Sequence, residues 1–347
     1  MSTTYRWVQW NRHKKIYDAV LAACIAVSIA AFVGIGFVLH PPPSDVSPPI
    51  LLMRALGLTG FLLLHLILAI GPLARLDDRV APLLYNRRHL GVAMFVVLLL
   101  HAVVAIGFYG GFGRGVWLAN VVAGSYRPGA GVPFELLGFL SLIIFAVMAA
   151  TSHDFWLAFL GPRGWKRLHM LVYPAYGLAA AHVLLGAAME RVSPVLGVLT
   201  LLGGAAIMLV HLAAGLRQAR VDAASRRTTV ADGWVDALAA EEIRPDRAAI
   251  VTLPGGDSVA VFRHNDRFSA ISNVCTHQGG PLGEGQIVDG CVTCPWHGYQ
   301  YRAEDGCSPP PYTERLPTYD LRVEGDRIHI RAEANTPGSP AAGGTSA

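Results

Sequence analysis

The sequence predicts a multidomain chain in which a six-helix transmembrane bundle is followed by a small all-β domain. Three observations carry this expectation. Mean hydropathy is +0.42 with only 15% charged residues, the balance of a membrane protein rather than a soluble one. Six apolar runs succeed one another through the first 220 residues. From Trp234 onward the pattern changes to short alternating segments separated by turn residues, which is the signature of strands.

In order, the basic opening stretch MSTTYRWVQWNRHKK carries Trp7 and Trp10 and reads as an interfacial segment. It leads into Ile16–Leu39, 24 residues with Asp18 as the one charge. That is too long for a signal-peptide core and lacks a small-residue cleavage site, so an uncleaved first span is expected. Further apolar runs lie near 50–74, 88–109, 133–152, 167–188 and 195–216, each about 20 residues and able to cross the hydrocarbon layer. Lys and Arg cluster in the N-terminal segment, between runs two and three, between four and five, and after six; the opposite loops hold only Arg54, Arg114, Arg127 and Arg191. By the positive-inside rule both termini face the cytoplasm, as expected of a protein of the bacterial inner membrane. The boundaries expected are a membrane domain over 1–220, a polar linker over 221–233, a β domain over 234–332 and a disordered tail over 333–347.

Charge is divided unevenly: residues 230–335 hold 16 Asp and Glu against 9 Lys and Arg, the remainder 8 against 19. Neither part shows a basic stripe with interleaved aromatics, so no nucleic-acid partner is expected. GGFGRG at 110–115 falls in a loop between two spans and lacks the strand–turn–helix context of a nucleotide fingerprint. Of the five cysteines, Cys24, Cys291 and Cys307 have no evident partner, so a disulfide framework is not indicated.

The run CTHQGGPLGEGQIVDGCVTCPWH presents Cys275 and His277, then Cys294 and His297, each pair opening a Gly- and Pro-rich loop. Two thiolates and two imidazoles suit a [2Fe–2S] cluster in which one iron takes two Cys and the other two His. A Cys2His2 zinc site is the competing reading, although zinc fingers usually keep like ligands together. On Cys275, His277, Gly280, Pro281, Leu282, Cys294, Pro295, His297, Gly298 and Tyr301, residues 230–332 resemble Rieske domains. The two cysteines that tie the cluster loops by a disulfide in the respiratory type are replaced by Gly280 and Trp296. The domain is therefore more similar to ferredoxin-type Rieske modules that feed oxygenases and reductases. The resemblance implies that Tyr301 hydrogen-bonds a ligand sulfur. Tyr299 stands where the respiratory type has Ser, which implies a lower cluster potential.

The apolar runs carry His65, His89, His101, His169, His182 and His211. Ionisable groups at membrane depth are uncommon and usually functional, and imidazoles from facing helices suit haem b. Runs three and five point the same way. His101 lies 13 residues beyond Arg88 and His182 lies 15 beyond Arg167, so these two meet at one depth, while His89 and His169 lie near the cytoplasmic ends. The two levels would be roughly 20 Å apart. Angular position favours the outer pair: His169 and His182 are out of phase by roughly 220° and His89 and His101 by roughly 120° on straight helices, with Pro174 available to bend the fifth run.

NRRHLGVAMFVVLLLH and GWKRLHMLVYPAYGLAAAH, through Arg87, Arg88, Leu90, Gly91, His101, Trp165, Arg167, Leu168, His169, Leu171, Val172, Tyr173 and His182, are similar to the ferric reductase-like transmembrane family over about residues 50–215. That resemblance implies haem ligation by His101, His169 and His182. The fourth ligand is left among His89, His65, His211 and a nearby Arg. The cytoplasmic flavin and nicotinamide domain of many members is replaced by the Rieske-like region. The expectation is a membrane oxidoreductase with a [2Fe–2S] cluster and one or two haems b. It would take electrons from a cytoplasmic donor protein and pass them to a periplasmic acceptor such as ferric iron, a quinone or a partner protein. The alternatives are a haem-free anchor presenting a Rieske ferredoxin to a separate oxygenase, and a redox sensor. Only 50 residues follow His297, too few for an oxygenase domain with its own two-His-one-carboxylate iron.

Overall fold

The computed structural model describes residues 12–41, 46–84, 87–110, 134–189, 194–225, 230–277, 279–295, 298–310 and 312–345. Trp7, Trp10, most of the GGFGRG loop, Trp296 and the predicted ligand His297 lie outside them. The chain divides into two compact units.

The membrane unit is helical: α1 (Arg12–Leu39), α2 (Pro48–Leu76), α3 (Arg87–Gly110), α4 (Phe134–Ala150), α5 (Asp154–His169), α6 (Val172–Met189) and α7 (Pro194–Ser225). Five stretches are long and apolar enough to span: Lys15–Leu39, Pro48–Leu76, Arg87–Phe108, Gly164–Gly186 and Pro194–Arg220. The chain is a multi-pass membrane protein. The fourth predicted run is shorter than expected, with 17 residues in α4, about 25 Å of helix against a hydrocarbon layer of about 30 Å. α7 also continues to Ser225, and β1 (Val230–Ala231) begins soon after, so helix and strand both enter the stretch expected to be linker. VDAAS has Ala at two of five positions, and Ala carries the strongest helix propensity.

Packing centres on α2, α3, α4 and α6, where Phe61, Leu64, Leu68, Met94, Phe145 and Ala175 form one buried cluster. Elsewhere side chains such as Val27, Phe159, Leu201 and Met208 remain exposed, as a lipid-facing surface requires. Small residues allow close approach. A Cβ on Gly60 would meet Leu98 at 2.4 Å, and buried Ser141 donates to the Ala175 carbonyl at 2.9 Å. The fifth run is not one helix. α5 stops at His169, Met170 and Leu171 form a turn, and Met170 donates back to Lys166 and Leu171 to Leu168. Pro174 has no N–H to donate to the Met170 carbonyl, and Tyr173 N–H takes that acceptor at 3.2 Å. The straight-helix phase calculation therefore does not apply to His169 and His182.

The β unit contains β2 (Trp234–Ala239), β3 (Ala248–Thr252), β4 (Ser258–His264), β5 (Arg267–Ser272), β6 (Gln286–Val288), β7 (Cys291–Thr293), β8 (Gln300–Arg302), β9 (Thr318–Tyr319), β10 (Leu321–Glu324), β11 (Arg327–Arg331) and β12 (Gly344–Thr345). The sheets run β1-β2-β11-β10, β12-β5-β4-β3 with β9 on β5, and β6-β7-β8. All pairings are antiparallel. Turn chemistry sets the registers: Asn265–Asp266 has φ of 48° and 59° and joins β4 to β5, and Asp289–Gly290 has 52° and 76° and joins β6 to β7, the two-residue geometry that matches strand twist. β4 is buried on both faces. Val259 and Val261 enter one core, and Ala260 and Phe262 enter a second that contains Cys275, Cys294 and Tyr301.

The expected disorder of 333–347 is corrected over its described part. Asn335 N–H donates to Thr318 O at 2.8 Å, Ala341 N–H to Glu304 O at 3.0 Å and Leu321 N–H to Ala342 O at 3.0 Å. Gly344–Thr345 then pairs with the edge of β5. A composition poor in apolar residues predicts no core, but this segment is held by backbone bonds to a strand edge and by Asp320, whose carboxylate accepts from Asn335 Nδ2 and Ala342 N–H, each at 2.9 Å.

Candidate electron-transfer centres

Two loops of identical backbone wiring carry the cysteines of the β unit. Cys275 N–H donates to Gly280 O and Cys275 O accepts from Gly279 N–H; Cys294 N–H donates to Tyr299 O and Cys294 O accepts from Gly298 N–H. Gly279 and Gly298 take φ of 72° and 68°, the left-handed region that glycine enters without strain. The matched offsets, five residues and four, place the two cysteines in equivalent positions of two loops, one after β5 and one directly after β7. Both thiols are buried, at 1% and 2% exposure, in the same core, and neither is in a disulfide.

Tyr301 is fully buried beside the first loop. Its hydroxyl lies 3.3 Å from Cys275 Sγ and 2.8 Å from Thr276 Oγ1, so the phenol can donate to sulfur while Thr276 donates to the phenol oxygen. Burial, then the Cys275 sulfur, pushes the Tyr301 pKa far above its ordinary value, and the phenol keeps its proton for that bond. The His277 ring stacks on Tyr299 with centres 4.9 Å apart and planes at 10°. Among the described residues no three His, Cys, Asp or Glu side chains converge as a metal site, and His297 lies outside them. The donor set nonetheless fits the cluster: two soft sulfurs closed off from water on equivalent loops, an imidazole on the first loop, and a hydroxyl aimed at one sulfur.

In the membrane unit the structure sorts the six histidines by which ring nitrogen is occupied. His65 Nδ1 lies 2.8 Å from Phe61 O and its Nε2 3.0 Å from Tyr176 Oη. His211 Nδ1 lies 2.9 Å from Ile207 O and its Nε2 3.1 Å from Tyr173 Oη. Both are interhelical hydrogen-bonders with neither nitrogen left over. His89 Nδ1 is 2.8 Å from the Asp18 carboxylate of α1, and no ring contact joins it to His169 among the described residues.

The remaining three share one arrangement. Nδ1 of His101 is 2.8 Å from Met53 O, Nδ1 of His182 is 2.9 Å from Phe134 O, and Nδ1 of His169 is 3.0 Å from Trp165 O. Donation from Nδ1 to a carbonyl leaves the Nε2 lone pair for a metal. For His169 that atom is buried. Trp165 stacks on the His169 ring at 3.7 Å and is itself fixed by donating to Thr151 O at 2.9 Å. His101 and His182 face each other with ring centres 6.2 Å apart and planes at 76°. That separation leaves room for one metal ion between the two rings at metal–nitrogen bonds of about 2.0–2.1 Å, so His101 and His182 would be the pair to hold a haem iron.

Two glycines that spacing alone did not single out make room for these rings. A Cβ on Gly57 would lie 3.0 Å from His101 Nδ1, and one on Gly138 would lie 2.8 Å from His182 Nδ1. The backbone of a neighbouring helix thus lies against each imidazole and supplies its carbonyl. Their sequence signal is weak, because glycines in apolar helices commonly serve only packing.

The chain thus combines an apolar helical unit that carries histidines with a β unit whose paired cysteine loops suit a [2Fe–2S] cluster. The chain belongs to the Rieske [2Fe-2S] domain family through residues 233–320, and residues 55–180 match the model of the ferric reductase like transmembrane component. The ferredoxin component of the alkene monooxygenase system of Xanthobacter autotrophicus is 31% identical over 101 residues, 29% of this chain and 82% of that protein. The protein-methionine-sulfoxide reductase heme-binding subunit of Polaromonas naphthalenivorans is 27% identical over 176 residues, 51% of this chain and 76% of that protein. A cholesterol 7-desaturase of Ciona intestinalis is 33% identical over 90 residues, 25% of this chain, and the chain spans only 19% of that protein's length.

Proposed function

We propose that the chain moves single electrons between a cytoplasmic Rieske cluster, held by Cys275, His277, Cys294 and His297, and haem b in the membrane, and delivers them outward to a periplasmic acceptor. His101 and His182 hold the outer haem. His169 would be a ligand of an inner haem, with His89 as the candidate second ligand. When bound, cluster and haem each supply a reversible one-electron couple. The residues around them set the conditions: Tyr301 donates to the Cys275 sulfur, three carbonyls fix the histidine tautomers, and the apolar helices exclude water.

The observation that carries this reading is the His101–His182 pair, with ring centres 6.2 Å apart. The positive-inside count supports a cytoplasmic Rieske domain, and the heme-binding relative supports haem in the helices. The chain's similarity to a monooxygenase ferredoxin component and to a methionine-sulfoxide reductase subunit suggests oxygenase- or reductase-type partners, and ferric iron, a quinone or a protein are the acceptors consistent with an outer haem. The acidic β unit suits a basic donor, so its reduction rate should fall as ionic strength rises; a flat rate rejects electrostatic docking.

The test is a visible spectrum and a haem-to-cluster ratio on the purified full chain, followed by rapid mixing of the reduced cluster with oxidised haem. Sharp reduced haem bands that grow as the cluster is oxidised are expected. A broad cluster spectrum with no haem identifies the protein instead as a membrane-anchored ferredoxin.

A further inference from the structure

Beside the predicted cluster ligands the β unit carries a stack of tyrosines that the reading above leaves unused. Tyr299 lies face to face with His277, 4.9 Å between centres at 10°. Tyr312 packs on Tyr299 at 4.9 Å, and Tyr301 packs on it at 5.5 Å. Tyr312 is 47% exposed and forms the outer layer. The Tyr299 hydroxyl is buried beside Glu314, and the ring packs through its faces against His277, Tyr301 and Tyr312. Its backbone carbonyl receives Cys294 N–H at 2.8 Å. One residue therefore joins both cysteine-bearing loops: its main chain closes the second, and its ring covers the histidine of the first.

We infer that Tyr299 is a positioning residue that fixes the plane of the His277 imidazole and keeps water from the histidine-ligated iron, holding the cluster at a low potential, with Tyr312 as the second layer. The inference rests on the Rieske reading of the proposed function. The physical reason is charge. A diferric [2Fe–2S] core with two thiolates and two neutral imidazoles is uncharged, and one added electron makes it an anion. A dry surround disfavours the anion, whereas water stabilises it. Removing the cover should therefore make the cluster easier to reduce and leave it a weaker donor to the membrane.

The experiment is a redox titration of the cluster by EPR in the detergent-solubilised full chain, with the rate of iron loss to a ferrous chelator as a second readout. Tyr299→Phe keeps the ring and should leave the reduced-to-oxidised ratio at fixed potential within about twofold of wild type. Tyr299→Ala opens the cover and should raise that ratio about tenfold, equivalent to 59 mV for one electron, with faster iron loss. Should Tyr299→Ala fail to hold a cluster, Tyr312→Ala, which strips only the outer layer, should move the ratio in the same direction by a smaller factor. Alanine variants that titrate with wild type overturn the inference, as does a Phe variant that shifts as far as Ala, since the hydroxyl would then be responsible. A wild-type chain without a Rieske signal overturns the underlying reading as well, so the two failures are distinguishable.

Discussion

Replacing Gly138 by Ala tests the haem reading at a residue that is not itself a predicted ligand. A Cβ there would lie 2.8 Å from His182 Nδ1 and 3.0 Å from both Cγ and Cε1. Three ring atoms are crowded at once, so rotation about χ2 cannot relieve the clash and the ring has to retreat from α4. The retreat needed is about 0.6 Å or more to restore ordinary packing, and it lengthens the 2.9 Å bond from Nδ1 to Phe134 O beyond hydrogen-bonding range. Overpacking of this kind costs about 1–3 kcal/mol, or roughly 5- to 150-fold in haem retention if the whole cost falls on the bound state. The assay is haem per protein by pyridine haemochrome, with haem transfer to apomyoglobin giving the loss rate. Gly91→Ala is the control, since a Cβ there meets nothing within 4 Å. The EPR signal of the cluster should be unchanged in both. A Gly138→Ala protein with full haem and wild-type retention would refute the placement of His182 as a ligand.

Four further outcomes follow from the same structure. His169→Ala should reduce haem content, while His65→Ala, which removes a bond to Tyr176 and no free nitrogen, should cost about 1 kcal/mol of stability and leave the haem spectrum intact; equal loss in both would show that packing, not ligation, is being read. Tyr301→Phe removes the hydroxyl 3.3 Å from Cys275 Sγ and should lower the cluster potential, shifting the reduced-to-oxidised ratio about tenfold toward oxidised; an unchanged titration contradicts that bond. The Asn335 amide and the Ala342 N–H hold the Asp320 carboxyl below its usual range. Its contribution to anchoring the tail is therefore present above the unfolded value of about 3.9 and lost as pH falls through the lower folded value. Hydrogen exchange over 334–345 should accelerate in that acid window and, at neutral pH, in Asp320→Ala; no change in the variant would mean the backbone pairing suffices.

What could be read from the chain alone was whatever is encoded within a few consecutive residues. The Cys–x–His and Cys–x–x–His loops, the runs of spanning length and the alternating segments split by turn residues depend on local chemistry, and their spacing identifies the family of cluster and the class of fold. The tail over 333–345 escaped because its order comes from the open edge of β5 and from Asp320, not from its own composition. The histidines escaped in part for the same reason. Six lie in the helices, and their number and depth are visible in the sequence, but which of them keep a lone pair is decided by partners far along the chain. His101 and His182 each bond a carbonyl 48 residues away, and His65 is taken up by a tyrosine 111 residues away. The phase mismatch of His169 and His182 likewise dissolved only once the turn at Met170–Leu171 was in place. An imidazole has two nitrogens, and a hydrogen bond to one determines whether the other can bind metal; that bond forms only when helices distant in sequence come into contact.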